Sequence, residues 1–170
     1  AEYSTLYEYG RTGGADAAKF TIDSATGVLT FVAAPDFESP TDVGGNNVYN
    51  VDILASTAAS GNAPQSIAIT VTAVNDNGPV ITSASTANFA ENATGTVIDV
   101  NATDADLPAQ TLTFSITGGA DAAKFAINAS AGIVTFIRSP NFEAPTDAGA
   151  DNIYNLTVTA SDGTRSSIGK

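Results

Sequence analysis

Three side chains bearing amide or carboxylate oxygen stand together at Asn75, Asp76 and Asn77, inside the stretch AVNDNGP at 73–79. Two more acids, Asp104 and Asp106, lie two residues apart in ATDAD. Such groups can do two different things. Their oxygens can accept backbone N–H groups and close a turn, a role that Gly78 and Pro79 immediately downstream would share. The same oxygens can hold a hard cation. With no Cys and no His, the chain offers no disulfide, no thiolate nucleophile, no zinc–thiolate site and no imidazole ligand or base. Oxygen is what remains, and oxygen ligands suit calcium or magnesium.

Charge narrows the partners. There are 18 acidic and 6 basic residues, for a formal charge of −12. A surface of that sign repels nucleic acid and anionic lipid. No apolar run approaches the length of a membrane span. Paired carboxylates can hydrolyse glycosides, but here they have no His, Cys or basic partner, and they recur with the fold. The chain reads as no enzyme.

The elements that must position these acids are strands. Hydrophobic residues make up 43% of the chain, with no Met and no Trp, and Val, Ile, Thr and aromatics favour strands over helices. An internal repeat organises them. TGGADAAKFTIDSATGVLTF at 12–31 returns as TGGADAAKFAINASAGIVTF at 117–136, PDFESPTD as PNFEAPTD, and NNVYNVDILAS as DNIYNLTVTAS. The offset is 105 throughout, and about 25 of the 45 positions from 12 to 56 are identical. In the second copy the alternation runs through Ile98, Val100 and Ala102, then Leu112, Phe114 and Ile116, then Phe125 and Ile127. Ile133 and Phe136 follow, and then Tyr154, Leu156, Val158 and Ala160. Short strands at this spacing predict an all-β chain of tandem Greek-key (immunoglobulin-like) β-sandwiches.

The expected division is 1–75 and 76–170, with five strands between 5 and 74 and six between 80 and 163. Laid on each other, the copies predict that unit one lacks its first two strands and unit two its last. Unit one is then expected to show an open sheet edge.

With the repeat laid out, the chain resembles tandem cadherin repeats, in the form found in large bacterial surface proteins. The motifs that carry the resemblance are DFE at 36–38, NDNGP at 75–79, AEN at 90–92, ATDAD at 102–106 and TASDG at 159–163. It covers nearly every residue from about 12 to 163. The resemblance implies a calcium cluster at the linker. Its ligands would be Asp36 and Glu38 from unit one, then Asn75, Asp76 and the backbone carbonyls of Val74 and Asn77. Asp104, Asp106 and Asp162 would come from unit two. The chain departs from the family pattern at Ala73, where linkers usually open with an acid, and at Asn141, which stands where unit one has Asp36. Glu91, Asn141 and Glu143 would face a third unit.

Other polar residues carry blander expectations. Asp16, Asp42, Asp121 and Asp147 sit in repeated loops and read as solvated turn residues. Tyr49 and Tyr154 start strands and read as core. The Asn-x-Ser/Thr triplets at Asn92, Asn101, Asn128 and Asn155 read as chance in a chain so rich in Asn and Thr. The function expected is a calcium-binding structural or adhesive segment of an extracellular, cell-surface protein or filament. Its partners would be neighbouring repeats or like chains, with strand addition among the modes. A carbohydrate- or protein-binding module is the alternative; clustered exposed aromatics in loops would favour it, and the sequence shows none.

Overall fold

The computed structural model describes residues 7–57 and 61–170. It is all-β, with every strand pair antiparallel, and it divides into two compact units, Ala1–Val74 and Asn75–Lys170. Among the described residues unit one has five strands: β1 (Glu8–Gly13), β2 (Phe20–Ile22), β3 (Leu29–Phe31), β4 (Val48–Thr57) and β5 (Gly61–Thr70). Residues 5 and 6 of the expected span lie outside the described residues. One sheet runs β1-β4-β5, and β2 and β3 form a hairpin. The hairpin sets Phe20 opposite Phe31 with ring centroids 4.4 Å apart, and Tyr49 of β4 meets Phe31 edge-on at 5.2 Å. Phe20, Tyr49 and Val51 are buried, with Ile67, Ile69 and Val71 packed against them. The buried Tyr49 hydroxyl accepts the Thr41 N–H at 3.1 Å, which is what allows a phenol in this core.

Unit two repeats the plan and adds to it. Its strands are β6 (Val80–Ile81), β7 (Thr96–Asp99), β8 (Ala102–Thr103), β9 (Thr113–Gly118), β10 (Phe125–Ile127), β11 (Ile133–Phe136) and β12 (Thr157–Ser161). That is seven where six were expected, because the alternating run Ile98, Val100, Ala102 is not one strand. β7 pairs with β11, whereas β8 pairs with β6, so the chain changes sheets around Val100. Val100 is buried, and its N–H donates to the Gly132 carbonyl at 3.0 Å. Gly132 sits at φ +73°, and a Cβ there would lie 2.1 Å from the Val100 oxygen. The bend therefore needs glycine opposite it, and switching sheets by a bend is how sandwich corners are made.

The second difference lies at 153–156. In unit one the equivalent residues belong to β4 and pair with β5, through Tyr49↔Ile69 and Val51↔Ile67. In unit two Ile153–Leu156 stands outside any ladder, and the strand begins only at Thr157. Beyond it, Val158 and Lys170 exchange both backbone hydrogen bonds, at 2.9 and 3.0 Å. This is the register of Ile53↔Gln65 in unit one, shifted by 105. Among the described residues of unit one β3 has a single strand neighbour, β2, whereas its counterpart β11 lies between β10 and β7. Leu29 is accordingly half-buried where its equivalent Val134 is fully buried.

The loop acids are not solvated. Asp16, Asp42, Asp121 and Asp147 are 2%, 7%, 2% and 6% exposed. Asp16 accepts the N–H groups of Val43 and Asn50 at 2.7 and 2.8 Å, and Asp121 those of Ala148 and Asn155 at the same distances. Asp42 and Asp147 each accept two amides within the following turn, from Asn46 and Asn47 and from Asp151 and Asn152. A buried carboxylate satisfied by backbone donors supplies what a strand cannot in an irregular loop. At the neighbouring Gly14 and Gly119, with φ +94° and +99°, a Cβ would lie 2.5 Å from the Asn50 oxygen and 2.3 Å from the Leu156 Cα, so neither position has room for one.

Asp121→Ala strands two buried amides. It should lower the stability of unit two by about 2–4 kcal/mol, at about 1–3 kcal/mol per unpaired donor less relaxation. A chemical-denaturation midpoint unchanged from wild type would refute the clasp. Acid provides a second check. The Asn46 amide, helped by that of Asn47, holds Asp42 below the usual carboxylate range against the opposing effect of burial. For Asp147 burial is the larger single effect and pushes upward, but the amides of Asp151 and Asn152 together outweigh it. Both folded pKa values are depressed, so their stabilisation is full above the unfolded value near about 3.9 and is lost as pH falls through the folded values. Denaturation midpoints should hold from neutral pH to about 5 and decline below about 4.

Candidate metal centre

The acids of interest in unit two are set by three irregular segments. Asn75–Asn77 precedes β6, the loop Asp104–Gln110 follows β8, and Asp162 follows β12. None of these positions can lie within a ladder, because each leaves its sheet at that point, so side chains satisfy the backbone instead. Asp104 Oδ1 accepts the Asp106 N–H at 3.1 Å. Asp106, 1% exposed, accepts the Asn77 amide N–H at 3.1 Å and the Asn77 side-chain nitrogen at 2.7 Å. That side chain also donates to Asp76 Oδ1 at 3.1 Å. Asp162 Oδ1 accepts the N–H groups of Thr164 and Arg165, both at 2.6 Å. The Arg165 amide is the main reason the Asp162 carboxyl lies below its ordinary range, so it is ionised at neutral pH.

These turns gather charge. One carboxylate oxygen from each of Asp104, Asp106 and Asp162 lies within 4.8 Å of the others. Asp104 Oδ2 is buried and has no hydrogen-bond donor. At an effective dielectric near 20, two unit charges about 4 Å apart repel by about 4 kcal/mol. A buried anionic oxygen without a donor, beside a second buried carboxylate, is the arrangement that burial rules disfavour unless a cation is present. The donor set is all oxygen, which fits calcium.

Asn75 closes the group. With its nitrogen toward the acids, the amide donates to Asp106 Oδ2 at 3.3 Å and Asp162 Oδ2 at 3.1 Å, while its oxygen accepts from Gln110 Nε2 at 3.1 Å. Gln110 was not among the residues the sequence pointed to. A glutamine in a loop carries no motif, and only the fold brings it against Asn75. In unit one, Asp36 Oδ1 is used within its own turn by the N–H groups of Glu38 and Ser39, at 2.9 and 3.2 Å. Glu38 is half-buried in the same loop, and Val74 is an exposed residue at the end of that unit. Glu91 and Asn141 lie apart from the three-acid group, where Glu91 accepts the Phe142 N–H and Asn141 that of Glu143.

Comparison with known proteins decides the family. The family model described as the cadherin domain matches residues 85–169, half of the chain. The chain belongs to the cadherin family. Halomucin of Haloquadratum walsbyi is 36% identical over 132 residues, covering 75% of this chain and 1% of halomucin. Protocadherin Fat 2 of Rattus norvegicus is 30% identical over 160 residues, covering 91% of this chain and 3% of that protein. The chain thus spans only a few hundredths of the length of these relatives. The EC1-2 structure of human protocadherin-24 aligns over the whole chain and 81% of its own, with a TM-score of 0.71 and 20% identity, which supports the fold. Cadherin domains are non-enzymatic, adhesion-type extracellular repeats, and this chain carries their tandem immunoglobulin-like sandwich. Among the described residues no helix is long and apolar enough to cross a membrane.

The hydrogen bonds from Asn77 to Asp106 make a local prediction. Asp106→Ala should speed hydrogen exchange at the Asn77 amide while leaving the protected amides of β9 and β12 unchanged. Collapse of protection across β9 and β12 would instead make Asp106 a structural acceptor for the whole unit.

Proposed function

We propose that this chain is a calcium-binding, non-enzymatic structural or adhesive segment of an extracellular surface protein or filament, in which calcium stiffens the linker between cadherin repeats. The observation that carries the reading is the buried, donorless Asp104 Oδ2 beside the carboxylates of Asp106 and Asp162. Asp76, Asp104, Asp106 and Asp162 would supply charge, and the Asn77 carbonyl and the Asn75 amide would supply neutral oxygens. Asn75 suits either condition, because turning its amide over exchanges two donated hydrogen bonds for an oxygen directed at a cation. Asp36, Glu38 and the Val74 carbonyl of unit one would add further oxygens, bringing the set to more than the six to eight that a single calcium takes. Calcium supplies positive charge and no chemistry of its own here. The chain's residues orient their oxygens, exclude part of the water and fix the linker backbone.

Enzymatic use of these acids has no support, since the chain has no His or Cys to act with them. Partners would be neighbouring repeats of the same protein or like chains, and the setting extracellular. Isothermal titration should give calcium dissociation constants on the order of 10⁻⁴ to 10⁻³ M, the range of extracellular modules. Magnesium should bind poorly, because it demands a tighter octahedral shell and gives up water reluctantly. Asp104→Asn should weaken calcium by about tenfold or more, in keeping with loss of one charged ligand. Calcium heats indistinguishable between wild type and Asp104→Asn would remove Asp104 from the site, and no binding at all would end the proposal.

A further inference from the structure

The backbone does not require glycine at position 78. Its φ lies outside the left-handed region, and a Cβ there would meet nothing closer than Arg165 Cβ at 3.5 Å, an ordinary contact. Pro79 follows it and biases residue 78 toward the extended region, which other side chains adopt readily. Gly119 and Gly132 are different: φ is positive at both, and a Cβ would lie 2.3 and 2.1 Å from backbone atoms. Gly78 is also the residue after Asn77, and no other Asn in the chain is followed by Gly.

That pair has a chemistry of its own. The backbone nitrogen after an asparagine can reach the side-chain carbonyl carbon, because closure makes a five-membered ring. A Cβ on the second residue crowds this approach, and glycine lacks one. The Gly78 N–H donates to no group among the described residues, so it is free to react. Asn77 and Gly78 are only half-buried, and water reaches both. What restrains the pair is Asp106, which accepts the Asn77 N–H at 3.1 Å and its Nδ2 at 2.7 Å, while Nδ2 also donates to Asp76. Ring closure expels Nδ2, so the bonds it makes must break.

We propose that Asn77–Gly78 is a site of self-modification, restrained by Asp106, that converts a neutral donor of this linker into a carboxylate. The Gly78 nitrogen forms a bond to Asn77 Cγ and the Cγ–Nδ2 bond breaks. The Gly78 proton passes through water to Nδ2, which leaves as ammonia. Water then opens the succinimide at either carbonyl, giving aspartate or an isoaspartyl linkage whose main chain is one atom longer. In the aspartate, a negative charge faces Asp76 and Asp106 where an amide had donated to both, and like charges so placed repel. Neither step involves a cation, so the inference stands apart from the calcium reading.

The test holds the whole chain in chelator, in warm and mildly alkaline buffer, and maps Asn-to-Asp mass changes and isoaspartyl bonds residue by residue. Asn77 should convert about tenfold faster than any other asparagine, and should yield isoaspartyl as well as aspartyl product. Gly78→Ala, for which there is room, should slow conversion at 77 by about tenfold or more. Asp106→Ala, with β9 and β12 still protected from exchange, should speed it by about tenfold, the worth of a hydrogen bond to a charged group. Conversion at 77 no faster than elsewhere, or unchanged in Gly78→Ala, would overturn the site. Aspartate without isoaspartyl product would overturn the ring mechanism, and an unchanged rate in Asp106→Ala the restraint.

Discussion

The structure of this linker region depends on how carboxylates are used where strands end. At each such point a backbone donor is left without a ladder partner, and an Asp oxygen takes it: Asp106 for Asn77, Asp104 for Asp106, Asp162 for Thr164 and Arg165. Satisfying backbone in this way brings negative charge to one place. Three acids then stand within 4.8 Å, and one buried oxygen is left over. A turn explanation accounts for the bonded oxygens and not for the remaining one. On the proposed reading, turn formation and cation binding are two consequences of the same side chains.

The repeat serves as an internal control for this logic. Asp16 and Asp121 are also buried carboxylates, yet both oxygens of each are taken by backbone amides, and among the described residues neither belongs to a three-acid group. They clasp a loop to a strand. Asp104 differs in having one oxygen matched and one not. The chemistry that separates a structural acid from a ligand lies in the count of donors around it, which the residue type alone does not reveal.

Much of the fold was legible in the sequence for a physical reason. Period-two alternation and a 105-residue offset report on side-chain faces, and faces are what sandwiches select. Ladders are a different matter. Ile98, Val100 and Ala102 all point into the core as their alternation suggests, but the backbone changes sheets between them because Gly132 opposite permits a bend. Tyr154 and Leu156 have the apolar pattern of a strand and no ladder, because pairing depends on a neighbour that pattern does not encode. The four loop acids were misread as solvated, since an Asp flanked by Gly and Asn looks the same whether its oxygens meet water or amides. At the candidate site the motif positions of Asp104, Asp106 and Asp162, which lie together, were legible through family resemblance. Gln110 was not, because its role is purely one of position.

The claim at the centre is that calcium, held by these oxygens, restricts the linker. The absence of cysteine makes it directly measurable. Spin labels at Thr21→Cys and Ala126→Cys, equivalent exposed strand positions in the two units, report the distance between them by pulsed electron resonance. In about 2 mM calcium, enough to fill much of a site in the range of extracellular modules, the account predicts a narrow distance distribution that broadens on adding chelator and recovers on restoring calcium. Distributions of equal width in calcium and in chelator would contradict it, and would leave Asn75–Asn77 a turn and nothing more.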